Sequence, residues 1–322
     1  MRLSQPLRQP DRMTRQPATT DTPDAGQPSP WAAHLICAAA MLIWSSGLPA
    51  NAFLLPSLHP LALATLRLVF AAIFLLPFWI WQDGGLRLSA AVWLRGLGVG
   101  ALIGLGSLLV ILGQAWTNAV TVAVISAALP VVGLGVEIVL DGRKMTVALA
   151  LGLGLALAGG ILALGKAATA VHFGLGALLC LGSTVAYTLG SRWTITALPD
   201  LSPLGRCTLT LIGGAVVMSL IAAVALPFGL AEPANFAAMG RREWGALLVF
   251  VVGSLAFSQI LWIVGVARLG IGMAALHINA TPFYVMLIGL ALGSGWNWWQ
   301  AAGAALVGIG VVVAQGLWSR IR

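Results

Sequence analysis

Charged residues are scarce in this chain of 322 residues. Asp, Glu, Lys and Arg make up 8% of the sequence, against about 25% in a typical soluble domain. So few charges cannot cover a water-facing surface, which disfavours a soluble protein. The nine acids are scattered along the chain, whereas a membrane-embedded enzyme needs acids or a metal site at the membrane face. The scarcity therefore also disfavours that class of enzyme.

Cysteines and catalytic motifs are rare as well. The three cysteines lack the spacing of metal ligands, and no phosphate-binding loop or nucleophile elbow is present. We therefore expect packed, reduced thiols and no catalytic residue, metal ion or cofactor. The net charge of +8 would suggest a nucleic-acid partner in a soluble protein. Here the basic residues stand in loops and tails, so the expected partners are membrane lipid and a small solute, not nucleic acid.

Apolar residues dominate the rest, at 59% of the chain and a mean hydropathy of +0.97. From Trp31 onward they form ten segments, each near the roughly 20 residues that cross about 30 Å of hydrocarbon. The pattern predicts an all-α integral membrane protein with ten transmembrane helices. The predicted spans cover 31–51, 60–81, 93–113, 119–140, 145–164, 173–193, 204–228, 244–265, 271–292 and 299–318. Residues 1–30 are polar, which predicts a disordered cytoplasmic tail.

The apolar architecture occurs twice in the sequence. Residues 31–70 align without a gap onto 174–213, with eleven identical positions, among them Pro60 and Pro203. Duplicated apolar units are typical of transporters built from structural repeats. We predict a first repeat over 31–164 and a second over 165–322. Because each holds an odd number of helices, the two would be inverted in the membrane.

The distribution of basic residues predicts the orientation. With the N-terminus in the cytoplasm, thirteen of the seventeen Lys and Arg residues fall on the inner side. Only Lys166, Arg241 and Arg242 fall outside, and Arg67 lies within the second predicted span. Both termini are then cytoplasmic in an inner or plasma membrane.

Aromatic residues stand at matched positions in the two repeats. Tyr187 aligns with Trp44, and both lie away from the predicted helix ends. A phenol in hydrocarbon needs a partner for its hydroxyl group. These two rings either pack between helices or form opposite walls of a substrate cavity, and we take both as candidate binding residues.

The ninth and eighth predicted spans carry further polar candidates. His277, Thr281 and Tyr284 share one helix face, with Asn279 beside them, and a polar face must turn away from lipid. We take His277, Asn279 and Tyr284 as candidate binding residues. Many hydroxyl groups in membrane helices only bridge neighbouring helices. The candidates from the eighth span are Ser258 and Trp262.

A pair of prolines marks equivalent places in the two repeats. Pro130 and Pro282 lie midway along the fourth and ninth predicted spans. Each removes a backbone hydrogen bond and is expected to free the carbonyl four residues earlier, at Ser126 and Ile278. We take both prolines as hinges or markers of the site.

The segment Trp44-Ser45-Ser46-Gly47-Leu48-Pro49-Ala50 resembles the helix-one motif of the EamA family, in the drug/metabolite transporter superfamily. Other features of the same family follow in order: Pro60 with Arg67, Pro130 with Asp141, and Trp299-Gln300 with Gly303, Leu306 and Gly310. The family's usual acid at the end of helix nine is absent, since Gly293-Ser294 stands there. The resemblance implies a ten-helix transporter. The aromatic residues within the membrane are similar to those of YddG-type amino-acid exporters.

Together these observations predict a transporter that exports small organic solutes by alternating access. Neutral or aromatic amino acids suit the candidate residues, with other metabolites or drugs as the alternative. A membrane-embedded enzyme and a scaffold or receptor are more distant alternatives. His277 and Glu137 are the only titratable groups suited to proton coupling, so we expect uncoupled movement.

Overall fold

A computed structural model describes residues 30–84, 87–116, 125–126, 128–164, 174–230, 232–293 and 295–314. Within those ranges every regular element is helical and no strand occurs, which confirms the all-α prediction. The tail predicted over 1–30 lies outside them apart from Pro30, which begins the first helix.

Thirteen α-helices make up this described part of the chain. The first six are α1 Pro30–Ser45, α2 Gly47–Leu54, α3 Pro60–Asp83, α4 Ala90–Trp116, α5 Leu129–Asp141 and α6 Val147–Leu164. The other seven are α7 Leu175–Thr196, α8 Pro203–Ala225, α9 Arg241–Leu248, α10 Ser258–Leu269, α11 Ile271–Ala275, α12 Thr281–Ala291 and α13 Trp298–Ala314. A π-helical segment, Val249–Phe257, joins α9 to α10, and a 3-10 segment, Leu276–Ala280, joins α11 to α12.

In the part of the chain that the structure describes, five helical stretches are long and apolar enough to cross a membrane, which confirms a multi-helix membrane protein. They are Trp31–Asn51, Pro60–Asp83, Ala90–Gly113, Pro203–Phe228 and Arg241–Leu269. A sixth crosses if Ile271–Ala280 and Phe283–Ala291, bent by 44° against each other, form one span. Val147–Leu162 and Trp298–Ala314 are apolar but shorter. The count of ten spans therefore stays a prediction.

The duplicated prolines Pro60 and Pro203 begin equivalent helices. Each stands at the first position of its helix, where proline's missing N–H costs nothing. In both cases the residue before it caps the helix: the His59 side chain accepts from the Leu61 N–H, and the Ser202 hydroxyl accepts from the Gly205 N–H. The same local chemistry thus starts α3 and α8.

The other proline pair lies at helix starts rather than midway along continuous helices. Pro130 and Pro282 stand in the first turns of α5 and α12, after Ala128 (φ −79°, ψ −7°) and Ala280 (φ −82°, ψ −4°). The Ile278 carbonyl, expected to be free, accepts a hydrogen bond from the Thr281 N–H, because the backbone tightens to 3-10 geometry before the proline. Each proline therefore begins a helix, and the prediction of a free carbonyl at Ile278 was wrong.

The two halves of the sequence pack through glycines. A Cβ placed on Gly310 of α13 would lie 2.7 Å from the Gly152 carbonyl oxygen of α6, and one on Gly213 of α8 would lie 3.0 Å from the Gly100 Cα of α4. Only glycine permits such backbone approach, which is how membrane helices gain packing without a hydrophobic driving force. The pairs α1–α10 and α4–α7 also make extensive contacts, as do α3–α8 and α6–α13. In chain order α1 corresponds to α7, α3 to α8, α4 to α10 and α6 to α13. Exchanging the halves therefore converts the α1–α10 pair into α4–α7 and leaves α3–α8 and α6–α13 as they are.

Candidate functional site

A central cavity of about 110 Å³ lies where helices of both halves meet. That volume holds several water molecules or part of a small solute. Its lining comprises Met41, Trp44, Arg67, Leu68, Ile103, Gly106, Ser107, Val110, Ser126, Leu129, Ser183, Thr184, Tyr187, Thr210, Leu211, Leu255, Gln259 and Ile278.

The two matched aromatic residues both line this cavity. Trp44 comes from the end of α1, where its backbone carbonyl accepts a hydrogen bond of 3.0 Å from the Ser254 hydroxyl. Tyr187 comes from the middle of α7, and its hydroxyl donates to the Gln259 Oε1 at 3.1 Å. The phenol therefore has the partner that its depth requires. The alignment of the repeats thus pointed to two rings on one cavity.

The candidates from the eighth predicted span lie next to the lining rather than in it. The Trp262 ring centroid is 6.1 Å from that of Tyr187, and its Nε1 donates to the Ser191 hydroxyl at 3.1 Å. The Ser258 hydroxyl donates to the Ser254 carbonyl within the π segment. Both residues are buried. The Trp262 ring thus packs against the Tyr187 ring, and Ser258 bonds the backbone of the preceding π-helical segment.

The three candidates from the ninth predicted span are not among the lining residues. His277 is buried, and its Nδ1 donates to the Ala274 carbonyl at 3.2 Å. That leaves its Nε2 as acceptor for the His34 Nδ1, 3.2 Å away near the start of α1. Asn279 is 2% exposed, and its side-chain amide has no hydrogen-bond partner in the described part of the chain. Tyr284 packs against the main apolar core.

Several polar residues that the sequence did not single out for binding also line the cavity, among them Arg67 and Ser107. The Arg67 guanidinium carbon lies 4.7 Å from the centre of the Phe250 ring, which belongs to the π segment. Its Nε is buried and makes no hydrogen bond to any described residue, and the same holds for the Ser107 hydroxyl. The signal in the sequence was that Arg67 lies well inside the second predicted span, away from its ends.

The acids of the described chain do not neutralise Arg67. Four of the six accept hydrogen bonds elsewhere: Asp83 from Ser202, Glu137 from Arg143 and Gly272, Asp141 from Arg192, and Glu243 from Gly240. The other two, Asp200 and Glu232, are exposed. Neither ion pair found among the described residues involves Arg67. The cavity thus combines two aromatic walls and several hydroxyl groups with one uncompensated cation.

Comparisons with known proteins found a transporter family over part of the chain and a shared fold over most of it. The model of the EamA-like transporter family matches residues 31–165. The uncharacterized transporter YyaM of Bacillus subtilis (strain 168) is 26% identical over 118 residues. That match spans 37% of this chain and 37% of the relative, well under half of either. A crystal structure of another protein has a TM-score of 0.73 at 20% identity and covers 91% of this chain and 100% of its own. This last likeness shows a shared fold.

Proposed function

We propose that the whole protein carries small organic solutes across the inner membrane by alternating access, a function supported by the match of residues 31–165 to the model of the EamA-like transporter family. The observation that carries the proposal is the central cavity, which is lined by residues from both halves of the chain. A site between two repeats, near the middle of the bundle, is where such carriers bind their solute.

Alternating access requires two halves that exchange conformations, and several features support that arrangement. The halves meet through close glycine contacts, and four of the helix pairs between them, α1–α10, α4–α7, α3–α8 and α6–α13, form a set that is unchanged when the halves are exchanged. Pro130 and Pro282 begin helices after nearly identical backbone turns. We propose two inverted repeats, 31–164 and 165–322, with the two prolines at equivalent hinges.

We propose that the solutes are neutral or zwitterionic amino acids, aromatic or aliphatic. Trp44 and Tyr187 offer flat apolar walls, and hydroxyl and amide groups supply a few polar contacts, which suits such molecules. Export is the direction that the family resemblance implies. Other metabolites or drugs of similar size are the competing solutes.

Counterflow in liposomes tests this function. Purified protein is reconstituted with unlabelled amino acids inside, and uptake of labelled amino acids is measured against a panel of other metabolites. We expect Trp44→Ala and Tyr187→Ala to abolish most of the exchange. Trp81→Ala, which changes a ring that is 87% exposed, should leave it intact. Protein that exchanges no solute of the panel would contradict the proposal.

We propose that movement is uncoupled from protons. Glu137 is held by Arg143 and by the Gly272 N–H, and His277 bonds His34 and a backbone carbonyl rather than the cavity. Flux should therefore follow the solute gradient alone. Accumulation of solute driven only by an imposed pH gradient would contradict this proposal and would make His277 or Glu137 the coupling site.

The orientation rests on the excess of basic residues on one side of the predicted spans. We propose cytoplasmic termini. In intact cells a membrane-impermeant thiol reagent should label Arg242→Cys, on the predicted outer side, but not Lys144→Cys, on the predicted inner side. The three native cysteines are buried and should add little background labelling. The reverse labelling pattern would invert the topology.

A further inference from the structure

Among the described residues, Arg67 is the one side chain that lines the central cavity and carries a charge at neutral pH. It stands on α3 within the apolar bundle, with its guanidinium carbon 4.7 Å from the centre of the Phe250 ring. A cation at membrane depth is costly and is retained where it pairs with another group or serves a solute. The Phe250 ring offers a cation–π contact, which offsets only a small part of the cost of removing a charge from water.

No described residue supplies the missing anion. The six acids in this part of the chain are bonded elsewhere or exposed, and neither observed ion pair includes Arg67. Its buried Nε has no hydrogen-bond partner among the described residues. A guanidinium with an unused N–H, facing a cavity, is a site for an anion.

A second group at the same cavity is also unused. The Ser107 hydroxyl of α4 is buried and lacks a partner within the described ranges. A hydroxyl group donates one hydrogen bond. Arg67 and Ser107 therefore present donors from two neighbouring helices to one space, while the aromatic rings of Trp44 and Tyr187 line the same space.

We infer that Arg67 binds the carboxylate of the transported solute, with Ser107 as a second donor. A carboxylate has one negative charge, so a single guanidinium neutralises it and matches its planar geometry. A phosphate, with more charge, would be left partly uncompensated here. The inference rests on the proposed transport function and specifies the solute as a molecule that carries one carboxylate beside an apolar or aromatic group.

Three probes that share one apolar group test the inference by binding alone. They are phenylalanine, its amide, and 3-phenylpropionate, which keeps the carboxylate but lacks the amino group. Binding is read from the rise in the thermal unfolding midpoint of the purified full-length protein. We expect both acids to bind the unmodified protein roughly tenfold to a hundredfold more tightly than the amide, since hydrogen bonds to charged groups are strong.

Three variants assign the preference to Arg67. Arg67→Gln should remove the preference for the acids, and Arg67→Lys should keep part of it because the charge remains. Arg268→Gln changes an exposed arginine of α10 and should behave as the unmodified protein does. Equal binding of acid and amide by the unmodified protein, or an undiminished preference in Arg67→Gln, would overturn the inference. So would the absence of binding by either acid.

The outcome is separable from that of the transport test. Protein that exchanges labelled solutes but binds acids no better than amides overturns only the role of Arg67. Protein that binds the acids through Arg67 but exchanges nothing in liposomes overturns only the proposed transport.

Discussion

Four charged groups near the C-terminal end of α5 form two ion pairs, whereas the charged group in the central cavity has no such partner among the described residues. At the charged end, defined by Glu137, Asp141, Arg143 and Arg192, each carboxylate meets a guanidinium. In the cavity, Arg67 has no carboxylate partner among the described residues, and the Ser107 hydroxyl has no partner there either. We infer from this difference that the ion pairs of the charged end hold helices together, whereas the hydrogen-bond donors in the cavity remain available to a solute. Variants in the two regions should therefore behave in opposite ways.

The largest effect is expected at Glu137, because it is buried and serves two donors at once. Glu137→Ala leaves the Arg143 guanidinium and the Gly272 N–H without their acceptor. Breaking a buried pair on one side costs about 3 kcal/mol. Thermal unfolding in detergent should show a large drop in midpoint, whereas the exposed Glu232→Ala should show none. Equal unfolding midpoints for the two variants would mean that Glu137 does not stabilise the fold.

A smaller loss is expected at the glycine contact between α6 and α13. A Cβ on Gly310 would lie 2.7 Å from the Gly152 carbonyl oxygen and 2.8 Å from the Ala156 nitrogen, and neither backbone atom moves easily. Gly310→Ala should destabilise the fold by about 2 kcal/mol. Gly308→Ala, on the same helix, meets nothing within 4 Å and should be neutral or slightly stabilising. Similar unfolding midpoints for both variants would show that α6 and α13 can move apart at Gly310 without loss of stability.

The exposed ion pair should contribute least at the charged end. Asp141 accepts from Arg192 at 3.0 Å through Nε, but its side chain is 43% exposed. Asp141→Asn should lower stability by less than about 1 kcal/mol, and added salt should shrink the difference further. A loss of stability as large as that of Glu137→Ala would mean that this exposed pair, and not the buried one, holds the helices together at the charged end.

In the cavity, removal of a polar group should leave stability unchanged. Ser107→Ala deletes a buried hydroxyl that has no partner among the described residues, so the unfolding midpoint should stay level or rise slightly. Solute binding should weaken several-fold. Ser183→Ala provides the contrast, because the Ser183 hydroxyl donates to the Gly106 carbonyl at 2.7 Å and its loss should lower stability. If Ser107→Ala lowered stability and Ser183→Ala did not, the Ser107 hydroxyl would serve the fold, contrary to this prediction.

Much of the fold was predictable because it follows from local composition. Apolar segments, helix-starting prolines and the duplication all leave marks in the sequence, and the duplication paired Trp44 with Tyr187, which line one cavity. The partners of individual polar groups were not predictable, because they come from distant parts of the chain. His277 meets His34 across 243 positions, and Arg67 is notable only once the acids of the described chain are seen to be bonded elsewhere or exposed.

The central claim is that the cavity cation serves the solute and not the fold, and Arg67→Met tests it most directly. The measurement is the thermal unfolding midpoint of the purified protein, with and without phenylalanine. The account predicts a midpoint without phenylalanine equal to or above that of the unmodified protein, because an uncompensated buried charge is removed. It also predicts that phenylalanine no longer raises the midpoint. A midpoint lowered as far as in Glu137→Ala, with the rise on phenylalanine binding preserved, would contradict the account.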